Sequence, residues 1–185
     1  MSEVVNPLRQ RIAFVLNGKE VNSYAEPRML LTDFLRQELG LTEIHVGCEH
    51  GVCGACTILL DGQPVRSCLT FAVQVDGHMV DTVQSLAGPN GELNDLQANF
   101  RKRHGLQCGY CTPGMLMSTT AFLKNNVKPT EPEVREMLSG HICRCTGYVG
   151  IVRAIMDTVD QRCSGCTEDT AANNLTTAQN SVAPF

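Results

Sequence analysis

Ten cysteines in 185 residues constrain this chain more than any other feature of its sequence. Disulfide frameworks compensate for a core that a short secreted chain cannot build. This chain is 43% hydrophobic and long enough to bury a core of its own. Its first segment has no charged stretch followed by an apolar run and no twin-arginine pair, and Met1 to Gln10 reads as a short polar lead-in. Without an export signal the expected location is cytoplasmic. In that reducing compartment, cysteines in such number are metal or redox ligands more often than structural disulfides. A net charge of −4 with no basic stripe argues against nucleic acid as a partner. No run of about 18 apolar residues argues for a membrane span.

The local patterns change character along the chain. Arg11 to Leu16 is rich in branched apolar residues and meets Asn17-Gly18, a strong hairpin-turn signal, with Lys19 to Tyr24 returning. Leu30, Leu31, Phe34, Leu35 and Leu39 repeat at helical spacing up to Gly40. Thr57 to Leu60 reads as a strand into Asp61-Gly62, a second hairpin turn, with Pro64 to Ser67 returning and a further short strand at Met79 to Val83. These segments predict a small α+β unit over residues 1–86. Gly88-Pro89-Asn90-Gly91 is the best linker signal in the chain. Beyond it four helices are expected over residues 87–163. One carries Leu93, Leu96 and Phe100, and one has Thr112 as N-cap and Pro113 in its first turn. A third starts at a capping box of Thr130 and Glu133, and a fourth runs from Gly147 through Val159. Residues 164–185 lack periodicity and read as a disordered tail.

The cysteines fall into two sets of four. Cys48, Cys53 and Cys56 have the C-x4-C-x2-C spacing of plant-type ferredoxins, and Cys68 follows after 11 residues, nearer than in that pattern. A [2Fe–2S] rhomb needs four thiolates converging from different directions. A tight glycine-rich loop supplies three, and the return strand of the second hairpin supplies the fourth. A zinc site would favour paired C-x2-C knuckles, of which this loop has one. His50 is read as a loop residue beside the cluster, because the second histidine of a Rieske site is missing. The other set is Cys108 and Cys111, then, after 31 residues, Cys143 and Cys145. On the helical reading each pair lies at or just ahead of a helix start, so two helix N-termini would face an anionic centre. Cys163 and Cys166 stand outside both sets and are read as incidental thiols or a labile disulfide. Arg144 reads equally as a charge that stabilises a reduced cluster and as a solvent or interface residue. His45, His78, His104 and His141 show no ligand spacing and read as surface residues. The absence of a nucleophile–base pair or phosphate loop places substrate chemistry on another chain.

The segments CEHGVCGAC and QCGYCTPG with HICRCTGYVGIV closely resemble the iron–sulfur subunit of the xanthine oxidase / carbon monoxide dehydrogenase family of molybdenum hydroxylases. The resemblance covers about residues 11–161. It implies a β-grasp, ferredoxin-like N-terminal domain followed by a helical, four-helix-bundle domain, each binding one [2Fe–2S] cluster. It implies that Cys48, Cys53, Cys56 and Cys68 hold the cluster nearer the flavin, and that Cys108, Cys111, Cys143 and Cys145 hold the one nearer molybdenum. Gln107 and Cys145 match the residues that contact molybdopterin, expected in its cytosine dinucleotide form. The family implies a large molybdenum subunit and a medium FAD subunit, assembled as a dimer of heterotrimers. The chain ends after the two iron–sulfur units, which resembles the split-subunit form. The runner-up expectation is a free-standing two-cluster ferredoxin, which should be more acidic and show no apolar docking face. A zinc or structural protein comes third. Nothing in the sequence samples the substrate.

Overall fold

The computed structural model describes residues 8–164. The first half is a five-stranded sheet made of β1 (Gln10–Leu16), β2 (Lys19–Ala25), β3 (Thr57–Leu60), β4 (Gln63–Arg66) and β5 (Met79–Asp81), in the order β2-β1-β5-β3-β4. Both hairpins turn where the sequence predicts. Asn17 and Gly18, like Asp61 and Gly62, have φ between 49° and 78°, the left-handed pair that suits the right-handed twist of the flanking strands. The strand at Met79 is central rather than peripheral. It runs parallel to β1 and antiparallel to β3, and so joins the two hairpins into one sheet. Ile12 and Phe14 alternate inward on β1 and meet Leu31, Phe34 and Leu35, with the Phe14 and Phe34 rings edge to face at 6.2 Å.

Those three residues lie on a helical segment that is not the single helix expected. A short α-helical turn, α1 (Leu31–Asp33), passes into a wider π turn over Phe34–Glu38, in which the Leu39 N–H reaches the Phe34 carbonyl. The wider turn lets Phe34 and Leu35 both enter the core.

The second half consists of four helices, α2 (Asp95–Lys102), α3 (Thr112–Asn125), α4 (Glu131–Leu138) and α5 (Val149–Ser164). Leu96, Phe100, Met115, Val134, Leu138, Ile151 and Ile155 form their common core. The N-cap of α3 is Cys111, one residue before the Thr112 that the sequence suggests; Thr112 is the first helical residue and Pro113 follows in the first turn. Glu133 reaches back to accept from the Thr130 N–H at 2.7 Å, as the capping-box spacing predicts. Helix α3 is apolar on more than one face: Met115 packs among the helices, whereas Met117 and Ala121 pack on Leu59 of the sheet. It is the element that ties the halves together. The segment read as a disordered tail lies outside the described residues apart from Ser164, which ends α5.

Candidate metal centres

Eight of the cysteines gather in two places, and in each place they lie in pairs. In the first, the Cys48 and Cys53 thiols are neighbours, as are those of Cys56 and Cys68, and the charge of Cys48 reaches Cys68. Cys68 lies not on β4 but in the single 3₁₀ turn Ser67–Leu69 that follows it. In the second, Cys111 neighbours Cys143, and the Cys145 and Cys108 sulfurs are 3.5 Å apart. Among the described residues, no three His, Cys, Asp or Glu side chains close on one point as the ligands of a lone ion do. Two pairs of thiols around a common space suit a rhomb that takes two thiolates at each of two irons.

The surroundings of the sulfurs fit the same group. The Cys53 N–H donates to the Cys48 sulfur at 3.3 Å, and this contact is the main reason that the Cys48 thiol is drawn down to about 6. Burial acts the other way on the deeper members. It raises Cys68 to about 11 and Cys111 to about 12, with their partner thiols adding to the rise. A thiol so buried gains a stable negative charge only from a cation beside it, and coordination to iron supplies one. Backbone N–H groups of Cys145 and Thr146 point to the Cys143 sulfur. A Cβ on Gly47 would stand 3.1 Å from the Cys53 sulfur, so that residue leaves the first cradle open.

The helix starts lie near the second set as expected: α3 begins one residue after Cys111 and α5 four after Cys145. Cys108, Cys145 and Gln107 are exposed, whereas Cys111 is buried. Arg144 is also exposed. His50 is a loop residue beside Cys48, donating to the Cys48 carbonyl through Nδ1. Cys163 lies on α5 away from both sets, with its sulfur near the Val127 carbonyl at 3.6 Å, and Cys166 lies outside the described residues.

Ile142 and Tyr110 bring the sets close to each other. The Ile142 N–H, next to Cys143, donates to the Cys53 carbonyl at 2.9 Å. Tyr110, between Cys108 and Cys111, stacks on His45 at 4.6 Å and donates its hydroxyl to the Val46 carbonyl at 2.6 Å. The four histidines read as surface residues do not all prove so. His141 is 3% exposed, held neutral by burial with its pKa lowered to about 4, and bonded through Nε2 to the Ser118 hydroxyl at 2.7 Å. His45 is half-buried under Tyr110. Residue spacing carries no sign of these contacts, because each joins segments that are tens of residues apart.

The comparisons with known proteins agree with this geometry. Residues 14–87 match the family described as 2Fe-2S iron-sulfur cluster binding domain, and residues 82–156 match the one described as [2Fe-2S] binding domain. The chain is 52% identical over 147 residues to caffeine dehydrogenase subunit gamma of Pseudomonas sp. (strain CBB1), covering 78% of this chain and 87% of that one. It is 51% identical over 153 residues to the nicotine 6-hydroxylase small subunit of Paenarthrobacter nicotinovorans, covering 83% and 92%. A chain in the crystal structure of quinoline 2-oxidoreductase from Pseudomonas putida 86 superposes with a TM-score of 0.81 at 49% identity, covering 85% of this chain and 98% of that one. With a [2Fe–2S]-binding domain in each half, the chain belongs to the small iron–sulfur subunits of the xanthine oxidase / carbon monoxide dehydrogenase family of molybdenum hydroxylases.

Proposed function

We propose that this chain is the electron relay of a cytoplasmic three-subunit molybdenum hydroxylase, carrying electrons from a molybdopterin subunit to an FAD subunit. Residues 1–86 form the ferredoxin-like domain, and Cys48, Cys53, Cys56 and Cys68 hold its [2Fe–2S] cluster on the flavin side. Residues 87–163 form the helical domain, and Cys108, Cys111, Cys143 and Cys145 hold the cluster on the molybdenum side. Cys145 and Gln107 meet the molybdopterin, in its cytosine dinucleotide form, and two heterotrimers assemble as a dimer. Each pair of neighbouring thiols would hold one iron. A [2Fe–2S] cluster, when bound, takes up and gives back a single electron, so two in series divide a two-electron oxidation into single steps.

The observation that carries this reading is the placement of two all-thiol sets on adjoining loops, joined by the Ile142 N–H···O=C bond to Cys53. That bond gives a short covalent and hydrogen-bonded route between a residue of one set and the neighbour of a residue of the other. The exposure of Cys108 and Cys145 beside Gln107 supports a contact with a cofactor on another chain. Exposed apolar side chains flank both sets: Val52, Leu69 and Phe71 near the first, Leu106, Ile142 and Val149 near the second. Apolar surface of this kind favours a docked subunit over a freely diffusing carrier.

The test is to purify the chain with the subunits encoded beside it and to record the paramagnetic signals of the reduced complex. Two distinct [2Fe–2S] signals are expected. Cys111→Ser should remove one of them and stop reducing equivalents from substrate reaching the flavin. Survival of both signals would overturn the ligand assignment. A chain that elutes alone, fully loaded, from cells expressing its neighbours would overturn the three-subunit reading.

A further inference from the structure

Arg66 ends β4, opposite Thr57 on β3 and two residues before Cys68. Its guanidinium spans three segments. Nε donates to the Gly51 carbonyl at 3.4 Å, inside the first cysteine loop. Nη1 donates to the Thr57 hydroxyl, next to Cys56, and that hydroxyl in turn donates to the Gly54 carbonyl at 2.6 Å. Nη2 donates to the Gly140 carbonyl at 2.6 Å, three residues ahead of Cys143. The planar fork of arginine makes such a three-way contact possible, and a lysine has no equivalent geometry. All three acceptors are neutral, so none of them offsets the positive charge of the guanidinium at its half-buried position between the two sets.

We propose that Arg66 is a positioning residue for electron transfer between the clusters: its fork holds the two cysteine loops in register, and its charge raises the reduction potential of the N-terminal-domain cluster above what its ligands alone would set. The proposal rests on the two-cluster reading above. Reduction adds one negative charge to a cluster, and a fixed positive charge beside it stabilises the reduced form. Two of the three contacts, and the position of Arg66 itself, lie with the first set, and only the Gly140 contact lies with the second. The charge therefore acts more strongly on the first cluster and favours electron movement towards it.

The experiment is a redox titration of the assembled complex, with each cluster followed by its own paramagnetic signal. The signal that Cys111→Ser abolishes identifies the second cluster. In Arg66→Gln, the reduced-to-oxidised ratio of the first cluster at a fixed ambient potential should fall about tenfold, about 59 mV for a one-electron couple. The second cluster should move less than half as far. Arg66→Lys, which keeps the charge and loses the fork, should hold the first potential within about threefold and weaken the magnetic interaction between the reduced clusters. Unchanged potentials in Arg66→Gln, with both signals and the full iron content intact, would overturn the charge role. If Arg66→Gln does not assemble, Arg66→Lys decides alone: a native magnetic interaction overturns the positioning role, and a tenfold loss in the ratio overturns the charge role. A wild-type complex that lacks two dinuclear signals would sink the two-cluster reading itself.

Discussion

At the scale of single residues, the seam between the halves is set by positions where no side chain fits. Gly114, in the first turn of α3, lies so close to the first cysteine loop that a Cβ there would overlap the Gly54 carbonyl and stand 3.0 Å from the Ala55 carbonyl. Gly54 answers with φ of +77° and with the Gly140 carbonyl 2.8 Å from where its own Cβ would be. Both obstacles at Gly114 are backbone, so rotamer changes cannot relieve them. Overpacking of this kind costs about 1–3 kcal/mol. Gly114→Ala should therefore lower the unfolding free energy of the purified subunit, read from urea melts, by an amount in that range. It should also broaden the interaction between the two clusters, because α3 must retreat from the loop that carries Cys53 and Cys56. A midpoint equal to that of wild type would mean that the seam is looser than its backbone distances imply. His141 shows why such positions escape a reading of sequence. A lone histidine without ligand spacing looks like a surface residue, yet here Gly54 and Ser118, distant in the chain, enclose it.

Elements were legible wherever the signal was local. Both hairpins follow from a two-residue turn that tolerates left-handed backbone, and α4 follows from Thr130, Glu133 and Pro132. The central place of β5 was not legible, since three residues carry no mark of which strands they pair with. Nor was the π turn over Phe34–Glu38, because apolar residues spaced three and four apart do not distinguish it from an α-helix. The pairing of α2 with α5 was hidden for the same reason. It is fastened at both ends by two-pronged ion pairs, Arg162 on Asp95 at 2.6 and 2.8 Å and Arg103 on Asp157 at 2.6 and 2.9 Å, with Asn99 donating to Thr158 between them. Hydrogen bonds from Arg162 hold the Asp95 carboxyl below its ordinary range. A carboxylate depressed in the folded state stabilises it above the unfolded value, near 3.9, and this gain is lost as pH falls through the folded value. The pair is partly exposed, so solvent screening limits it to about 1 kcal/mol or less. Asp95→Asn should lower stability by that amount in urea melts at pH 7, and the gap from wild type should narrow steadily as the pH is taken below 4. A gap that stayed constant with pH would assign the loss to charge-independent contacts of the Asp95 side chain, such as the hydrogen bond from the Leu96 N–H, rather than to its charge.

At the scale of the whole molecule, two hydrophobic cores are built largely without the thiols, while the seam between them combines the packing of α3 on the sheet with contacts of the cysteine loops. Ile12, Phe14, Leu31 and Phe34 pack in one core and Leu96, Phe100, Ile151 and Ile155 in the other, each outside the cysteine loops in sequence. The loop contacts of the seam, by contrast, involve Cys53, Ile142, Tyr110, Val46, Gly140 and Gly51, all within a few residues of a proposed ligand. Glu49 and Tyr148 of these loops are left-handed, a backbone state that surrounding contacts must maintain in a residue with a side chain. Free energy of metal binding is then spent on ordering loops whose order also makes the domain contact. Stripping the iron with a chelator should raise amide hydrogen exchange in residues 45–56, 106–112 and 140–148, and leave the β1–β2 hairpin and the α2–α5 contact protected. The loops are also joined through the seam by the bond from Ile142 to Cys53. Loss of only the second cluster, in Cys111→Ser, should therefore raise exchange around Cys53 as well, although its own cluster remains. If exchange in residues 47–54 keeps its wild-type rate in that variant, the two sites fold independently and the Ile142–Cys53 bond is a contact without a coupling role.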